Sequence, residues 1–284
     1  MKAKNLTMKS LLISAALLVI GVLVGCNKSE IPANRVFSIN DLSHKKVGVL
    51  EGTTGEVYAA EYGDDSSRIH AQVFTTLAEA VEALRRGELD AVLSDDAPAK
   101  VFVDKNPSLR ILNETFKEES YAGVVAKEKW GLLDTVNVAL IQMRAMGVFD
   151  SIFNSYIGGS GNFRVQADST TGPVLKVATN AEFPPFEYRR DGHVVGIDIE
   201  IARYIADYME RPLEILDMDF DDIIESVRSG KADIGLAALS VTEEREKVIN
   251  FTDHYATSKV VVMVRNDEDE ESTFQRIKDT LFGS

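Results

Sequence analysis

The chain has 284 residues, 45% of them apolar and 27% charged. That is the balance of an ordinary globular protein with a sizeable core. A formal charge of −14 and a pI near 4.8 exclude the basic surface that nucleic-acid binding needs. One cysteine, Cys26, excludes an intrachain disulfide, and the four scattered histidines (His44, His70, His193, His254) show no metal-ligand spacing. No metal and no cofactor are expected.

In chain order, Lys2, Lys4 and Lys9 precede an uncharged apolar run from Leu11 to Gly25. The run is short for a membrane span, which takes about 20 residues, and a basic start before a short apolar stretch predicts a secretory signal over 1–25. Leu23-Val24-Gly25-Cys26 resembles a bacterial lipobox. The resemblance implies a diacylglycerol on the Cys26 thiol and cleavage just before it. Loss of three lysines and no acid would take the charge from −14 to −17. Residues 26–37 then read as a polar tether, and the folded part is expected on the extracytoplasmic face of the cell membrane, held by acyl chains.

Lys46–Leu50 (KVGVL) predicts a strand, and EGTTGEVYAAEY after it a turn into a helix. Residues 76–93 (TLAEAVEALRRGELDAVL) recur in plan 143 positions on, as 219–236 (DFDDIIESVRSGKADIGL). Thr76 and Asp219 are expected N-caps, with Glu79 and Asp222 completing capping-box-like pairs. Leu77, Ala80, Val81 and Leu84 match Phe220, Ile223, Ile224 and Val227 as one apolar helical face. Gly87 and Gly230 stop the helices, and the apolar strands LDAVL and ADIGL follow, continuous enough for burial between helices. Between the two copies, YAGVVA predicts a strand and helices rich in Leu, Met and Phe run on to Ile157. Residues 158–173 (GGSGNFRVQADSTTGP) read as a flexible linker. Leu175–Thr179 (LKVAT) predicts a strand, and Ile197–Met209 a helix. The tail 267–284 is acidic, with Phe274, Ile277 and Leu281 on one face of a short segment. Two α/β units of similar plan result.

A crevice between two such units exposes strand C-termini and helix N-termini, the places where carboxylates and other small ligands bind. Gly52-Thr53-Thr54-Gly55 follows the first strand and can aim N–H groups at a ligand, although such a string is also an ordinary turn. It lacks the ending of a nucleotide P-loop. Ser94-Asp95-Asp96 follows LDAVL, and an acid there can neutralise an ammonium group or cap the next helix. Arg245, after ADIGL, carries a planar fork suited to a carboxylate or to a surface ion pair. Asn180 to Tyr188 holds two prolines that stiffen an aromatic-bearing loop.

VATNAEFPPFEY, GIDIEIARYIADYM and DIGLAALSVTEEREKVINFTDHY together resemble the first lobe of amino-acid-type solute-binding proteins of ABC importers. DLSHKKVGVLEGTTGEVYA, LDAVLSDDAPAKVFV and the YAGVVAKE to YIGG region resemble the second lobe and return segment of the same family. The resemblance covers about 38–265. It implies an α/β, two-lobed periplasmic-binding-protein type II fold. The order differs from the family's, since the half that normally comes first comes last. The chain therefore reads as a circular permutant: 38–114 as lobe 2, 115–157 as the return segment of lobe 1, 158–173 as the joining linker and 174–266 as the main part of lobe 1. One covalent crossing is expected near Asn113–Lys117, with Ser38 and Asn266 as neighbouring loose ends at the hinge, in a monomer; the alternative is two half-domains that complete each other between chains.

The resemblance also implies a ligand site. Phe183 and Phe220 fall where aromatics sandwich the ligand side chain, Arg245 where a guanidinium grips the α-carboxylate, and Ala238 and Ser240 where N–H and hydroxyl groups support that grip. Thr53 and Thr54 fall where the other lobe donates to the same carboxylate, Leu50 at the neighbouring wall, and Asp95 where an acid accepts from the α-ammonium. Asn180 stands where binders of basic amino acids often have an aspartate. The implied function is delivery of a free amino acid to an ABC permease. Two alternatives share the fold: a ligand sensor for a membrane partner, and a periplasmic lyase. The lyase needs an acid/base pair that no motif here supplies.

Overall fold

A computed structural model describes residues 31–165 and 171–266. The expected signal, Cys26 and the tail helix lie outside these residues, as does the middle of the linker.

The leading lobe starts where its apolar run predicts. Lys46–Leu50 forms β1, followed by α1 (Thr54–Glu61) and β2 (His70–Phe74). Helix α2 (Leu77–Arg85) comes next, then β3 (Ala91–Asp95) and α3 (Asp96–Lys105). The Thr76 hydroxyl accepts from the Glu79 N–H at 3.2 Å, so the expected cap is made. Leu77, Ala80, Val81 and Leu84 are buried with Leu89 and Val92 in one cluster. Burial of that single face fixes how the helix rolls against the sheet.

The trailing lobe carries α4 (Trp130–Ala145), α5 (Val148–Tyr156) and β5 (Leu175–Thr179). The short strands β6 (Glu182–Phe183), β7 (Glu187–Arg190) and β8 (His193–Val195) form a separate three-stranded sheet. Then come α6 (Ile197–Tyr208), β9 (Leu213–Asp217), α7 (Asp222–Arg228) and β10 (Ile234–Gly235). The second copy of the repeat departs from expectation at its start. Helix α7 begins at Asp222, and Asp221 precedes it without a side-chain cap bond. Asp219 instead supplies a turn carbonyl to the Asp222 N–H. Phe220 is thereby freed from the helical face and left partly buried at the edge of the cluster around Ile223 and Val227.

Two long antiparallel strands join the lobes: β4 (Leu109–Val125) and β11 (Asn250–Arg265), the latter reached through the one-turn helix α8 (Glu243–Glu246). The sheet order is β2-β1-β3-β11-β4-β10-β5-β9. The outer half of β11 pairs with β3, Val262 opposite Leu93, while the inner end of β4 pairs with β10, Val125 opposite Ile234. Each strand therefore serves both lobes, and the β4–β11 register shifts around Phe251–Ala256 and Val260–Met263, where the ladder bends between them.

Several boundaries change. The predicted strand YAGVVA is only the inner end of β4. The chain crosses between lobes twice, because β11 is continuous, and its residues from Val260 on lie in the leading lobe's sheet although they fall within 174–266. Asn266 sits at the outer end of that sheet, its N–H donating to the Ser108 carbonyl, whereas the Ile39 N–H meets the Glu114 carboxylate partway along β4. The loose ends thus share the leading lobe and do not meet at the hinge. The stretch read as tether packs as well: Val36 is fully buried beside Val260, Val262 and Val264. So does the start of the linker, where Val165 donates to Glu200 and Phe163 lies against the trailing core. Apolar residues inside polar stretches found cover that composition alone does not reveal.

Candidate functional site

Between the lobes lies a cavity of about 40 Å³ lined by Leu50, Glu51, Thr53, Thr54, Thr75, Asp95, Asn180, Phe183, Phe220, Ala237, Ala238 and Ser240. Nine of the ten predicted ligand positions are among them. The leading lobe contributes the ends of β1, β2 and β3 and the first turn of α1. The trailing lobe contributes the residues after β5 and β10 and the loop before α7. These are carboxyl ends of parallel strands, which is why residues far apart in sequence meet there. The free space holds little more than one water molecule, so the facing walls stand close.

Arg245, the tenth position, stands at the rim. Its Nη1 donates to the Ser240 carbonyl at 2.8 Å and its Nη2 crosses to the Gly52 carbonyl at 3.0 Å. The guanidinium lies over the Phe220 ring, 5.6 Å from the centroid, a cation–π contact. Burial pulls its pKa down, opposed by the negative charges of Glu119 and Asp221. It remains a cation whose current partners are two neutral carbonyls.

Asp95 lines the cavity as well. Burial, then repulsion from Glu119, raises its carboxyl to about 7. The Ser258 hydroxyl is within 3.0 Å of Asp95 and 3.2 Å of Asp96, so it bridges the two acids. Glu119 is buried and accepts from the Ser240 hydroxyl. The Tyr58 hydroxyl is pushed up by burial and by its hydrogen bond to Glu119. Asp95, Asp96 and Glu119 make an acid cluster suited to an ammonium group.

Some predicted donors are already engaged. The Ala238 N–H donates to Asp198 at 2.7 Å, so it is not the ligand donor expected of it. The Ser240 hydroxyl is spent on Glu119 in the same way. The Thr53 hydroxyl donates to the Leu50 carbonyl at 2.7 Å and closes its own turn. Thr54 opens α1, and a first-turn N–H has no acceptor within its helix. The Asn180 amide donates to the Met218 carbonyl at 2.9 Å, which ties the β5 and β9 ends together. Phe183 stacks on Phe186, their centroids 6.4 Å apart.

Sequence reasoning missed Thr75 and Ala237, although both follow strands of the sheet and the strand-end rule finds them. It also missed Glu119, Ser258 and Asp221. Glu119 sits in the polar stretch KEES, which reads as a loop until β11 and the Ser240 loop fold over it. Elsewhere, a larger open groove of about 830 Å³ runs between α3, α5 and β11. It is lined by none of the predicted residues, and Arg144 there is engaged by the His254 carbonyl and the Phe149 ring. Among the described residues no cluster of His, Cys, Asp or Glu could hold a metal. Nor is any single helix among them long and apolar enough to cross a membrane.

Comparison with known proteins places the trailing half. Residues 175–281 match the model for bacterial extracellular solute-binding proteins, family 3. The arginine-binding extracellular protein ArtP of Bacillus subtilis is 33% identical over 105 residues, 37% of this chain and 40% of that protein. A probable histidine-binding protein of Neisseria gonorrhoeae is 31% identical over 111 residues, 39% of this chain and 41% of that protein. Among solved structures, the arginine-bound domain 1 of TmArgBP is 33% identical, covering 36% of this chain and 86% of that one, with a TM-score of 0.29. The chain spans about two fifths of the length of these curated relatives, all of which carry binding-protein and not enzyme names. Residues 175–281 of this chain are thus similar to the bacterial extracellular solute-binding proteins, family 3.

Proposed function

We propose that this protein is a lipid-anchored extracytoplasmic receptor, held by Cys26, that captures a free amino acid between its lobes and presents it to an ABC permease. One observation carries the reading: an interlobe cavity lined by the Asp95 carboxyl and the Phe183 and Phe220 rings, with the Arg245 guanidinium reaching across the lobes beside it. A zwitterion with a side chain offers a charge to each of these groups and a stem to the rings. Its carboxylate replaces the Gly52 carbonyl on Arg245 and meets the Thr54 N–H, its ammonium ion-pairs with Asp95, and its stem lies against Phe183 and Phe220. Satisfying both charges needs both lobes, so ligand favours the closed form by differential affinity. The relatives' names point to arginine or histidine. Glu51 in the cavity wall suits a cationic side chain, whereas the neutral Asn180 supplies no charge for one.

The lobe order is read as a circular permutation within a monomer. The match to the family begins at Leu175, and both lobes are completed by one chain through β4 and β11. A monomer that binds ligand in native mass spectrometry supports this, and an obligate dimer overturns it.

The function is tested by a thermal-shift screen of the twenty amino acids, since a ligand specific for the folded state raises the melting temperature. At least one, with L-arginine and L-histidine foremost, is expected to do so. Arg245→Ala and Asp95→Ala should each weaken binding by about 2–5 kcal/mol, because each leaves a ligand charge buried and unpaired. A flat screen, or full retention of the shift by both variants, overturns the reading.

A further inference from the structure

Behind the cavity wall, Glu187 at the start of β7 and Asp198 in the first turn of α6 are both buried, 1% and 0% exposed. Their backbones adjoin, the Asp198 N–H donating to the Phe186 carbonyl at 3.0 Å, the two carboxyl groups interact directly, and among the described residues neither forms an ion pair with a Lys, Arg or His. One oxygen of Asp198 is fully used: it accepts from the Ala238 N–H at 2.7 Å and from the Tyr255 hydroxyl at 2.8 Å. The other Asp198 oxygen and both Glu187 oxygens receive no ordinary hydrogen bond from the described residues. Ala238, which this carboxylate holds, has φ +47°, a left-handed conformation that costs an alanine about 1–2 kcal/mol. It forms the cavity wall together with Ala237 and Ser240.

Two buried carboxyl groups in contact without a cation cannot both stay ionised. We infer that Glu187 retains its proton and donates it to the free oxygen of Asp198, so that the pair acts as a positioning brace for Ala238 and the cavity wall. This rests on the reading of the cavity as the ligand site. The groups facing the pair are consistent with it. Tyr255 on β11 is a hydroxyl donor held neutral by burial, and Asp95 on β3 adds negative charge that disfavours a second anion. Burial drives Glu187 well above the usual carboxylate range, and Asp198, also buried, to about 6. With the proton on Glu187, Asp198 stays an ionised acceptor for Ala238 without facing a second anion. Alkaline solution, by ionising Glu187, sets two anions against each other and loosens the wall.

The test is calorimetry with L-arginine and L-histidine from mildly acidic to alkaline pH, together with infrared spectroscopy of the ligand-free protein. The wild type should show a protonated-carboxyl stretch at neutral pH that Glu187→Gln removes and Asp95→Asn does not remove completely. Affinity should fall on the alkaline side. Glu187→Gln, whose amide can still donate to Asp198, should bind as the wild type does at neutral pH and lose that alkaline decline. Glu187→Ala should bind roughly tenfold or more weakly, as expected when a buried acceptor loses its donor. No infrared band removed by Glu187→Gln, or an alkaline decline unchanged in that variant, overturns the inference. Absence of any amino-acid binding by the wild type overturns the proposed function instead, and the infrared band still decides where the proton is.

Discussion

Asp95 ties the acid end of the site to pH. Its carboxyl sits near 7 against an ordinary 3.8, so the folded, ligand-free protein binds more protons than the unfolded chain between those values. Stability then falls as pH rises through that window, because the unfolded state ionises first. Ligand binding has the opposite dependence: only ionised Asp95 pairs with an ammonium group. Affinity should therefore rise with pH up to about 7, ahead of the alkaline decline expected from Glu187, and binding just below pH 7 should release a proton. Calorimetry in buffers of different ionisation enthalpy measures the release. In Asp95→Asn the acid side of the profile should be flat and the affinity low throughout. An unchanged acid-side profile in that variant would assign the dependence to another group, Asp198 being the next in line.

The elements show how far the repeat carries information. The strands KVGVL and LKVAT and the helix from Ile197 are legible because each has a dense apolar pattern and a clear breaker at its end, and α2 is legible down to its cap. Thr76→Ala should cost about 1 kcal/mol, read as a lower urea midpoint at unchanged slope. Asp219→Ala should cost no cap bond, since α7 begins without one. The two copies are equivalent in apolar face and not in their first turn. The difference has a physical use: Phe220 leaves the helix and faces the cavity. Strands β4 and β11 were the least legible elements. Their middles, FKEESY and TDHYATS, are polar because they cross open space between lobes, and a polar stretch between apolar runs reads as a loop. The antiparallel partner supplies the backbone hydrogen bonds that local sequence does not advertise.

At the scale of the whole molecule, the lobes touch where ligand is expected. Gly52 has φ +67°, and a Cβ built there would lie 1.5 Å from an Asp221 oxygen of the facing lobe. Its carbonyl also takes the Arg245 bond across the cleft. Gly52→Ala should therefore displace the Asp221 side chain and strain the backbone at positive φ, which disturbs the closed contact of the lobes. The expected result is a larger radius of gyration in small-angle scattering and affinity weakened by tenfold or more, about 1.4 kcal/mol. Asp221→Ala in the same chain should restore part of the closure by removing the steric contact. The backbone strain of an alanine at positive φ remains. Equal radii for wild type and Gly52→Ala would show that this contact does not limit closure. On the proposed reading, an amino acid enters this cavity of about 40 Å³ by parting the lobes, with the bends in β4 and β11 as hinge.

The sequence by itself determined the two α/β units, their helical faces and strand cores, and the residue types set at strand ends, because these follow from periodicity and from the chemistry of turns and caps. Tertiary structure alone decided which of those residues share a cavity, that Ala238 and Ser240 have spent their donors on buried acids, and that the chain crosses between lobes twice. Burial and partnership are properties of surfaces brought together from distant parts of the chain, and no local pattern of side chains encodes which surface will arrive.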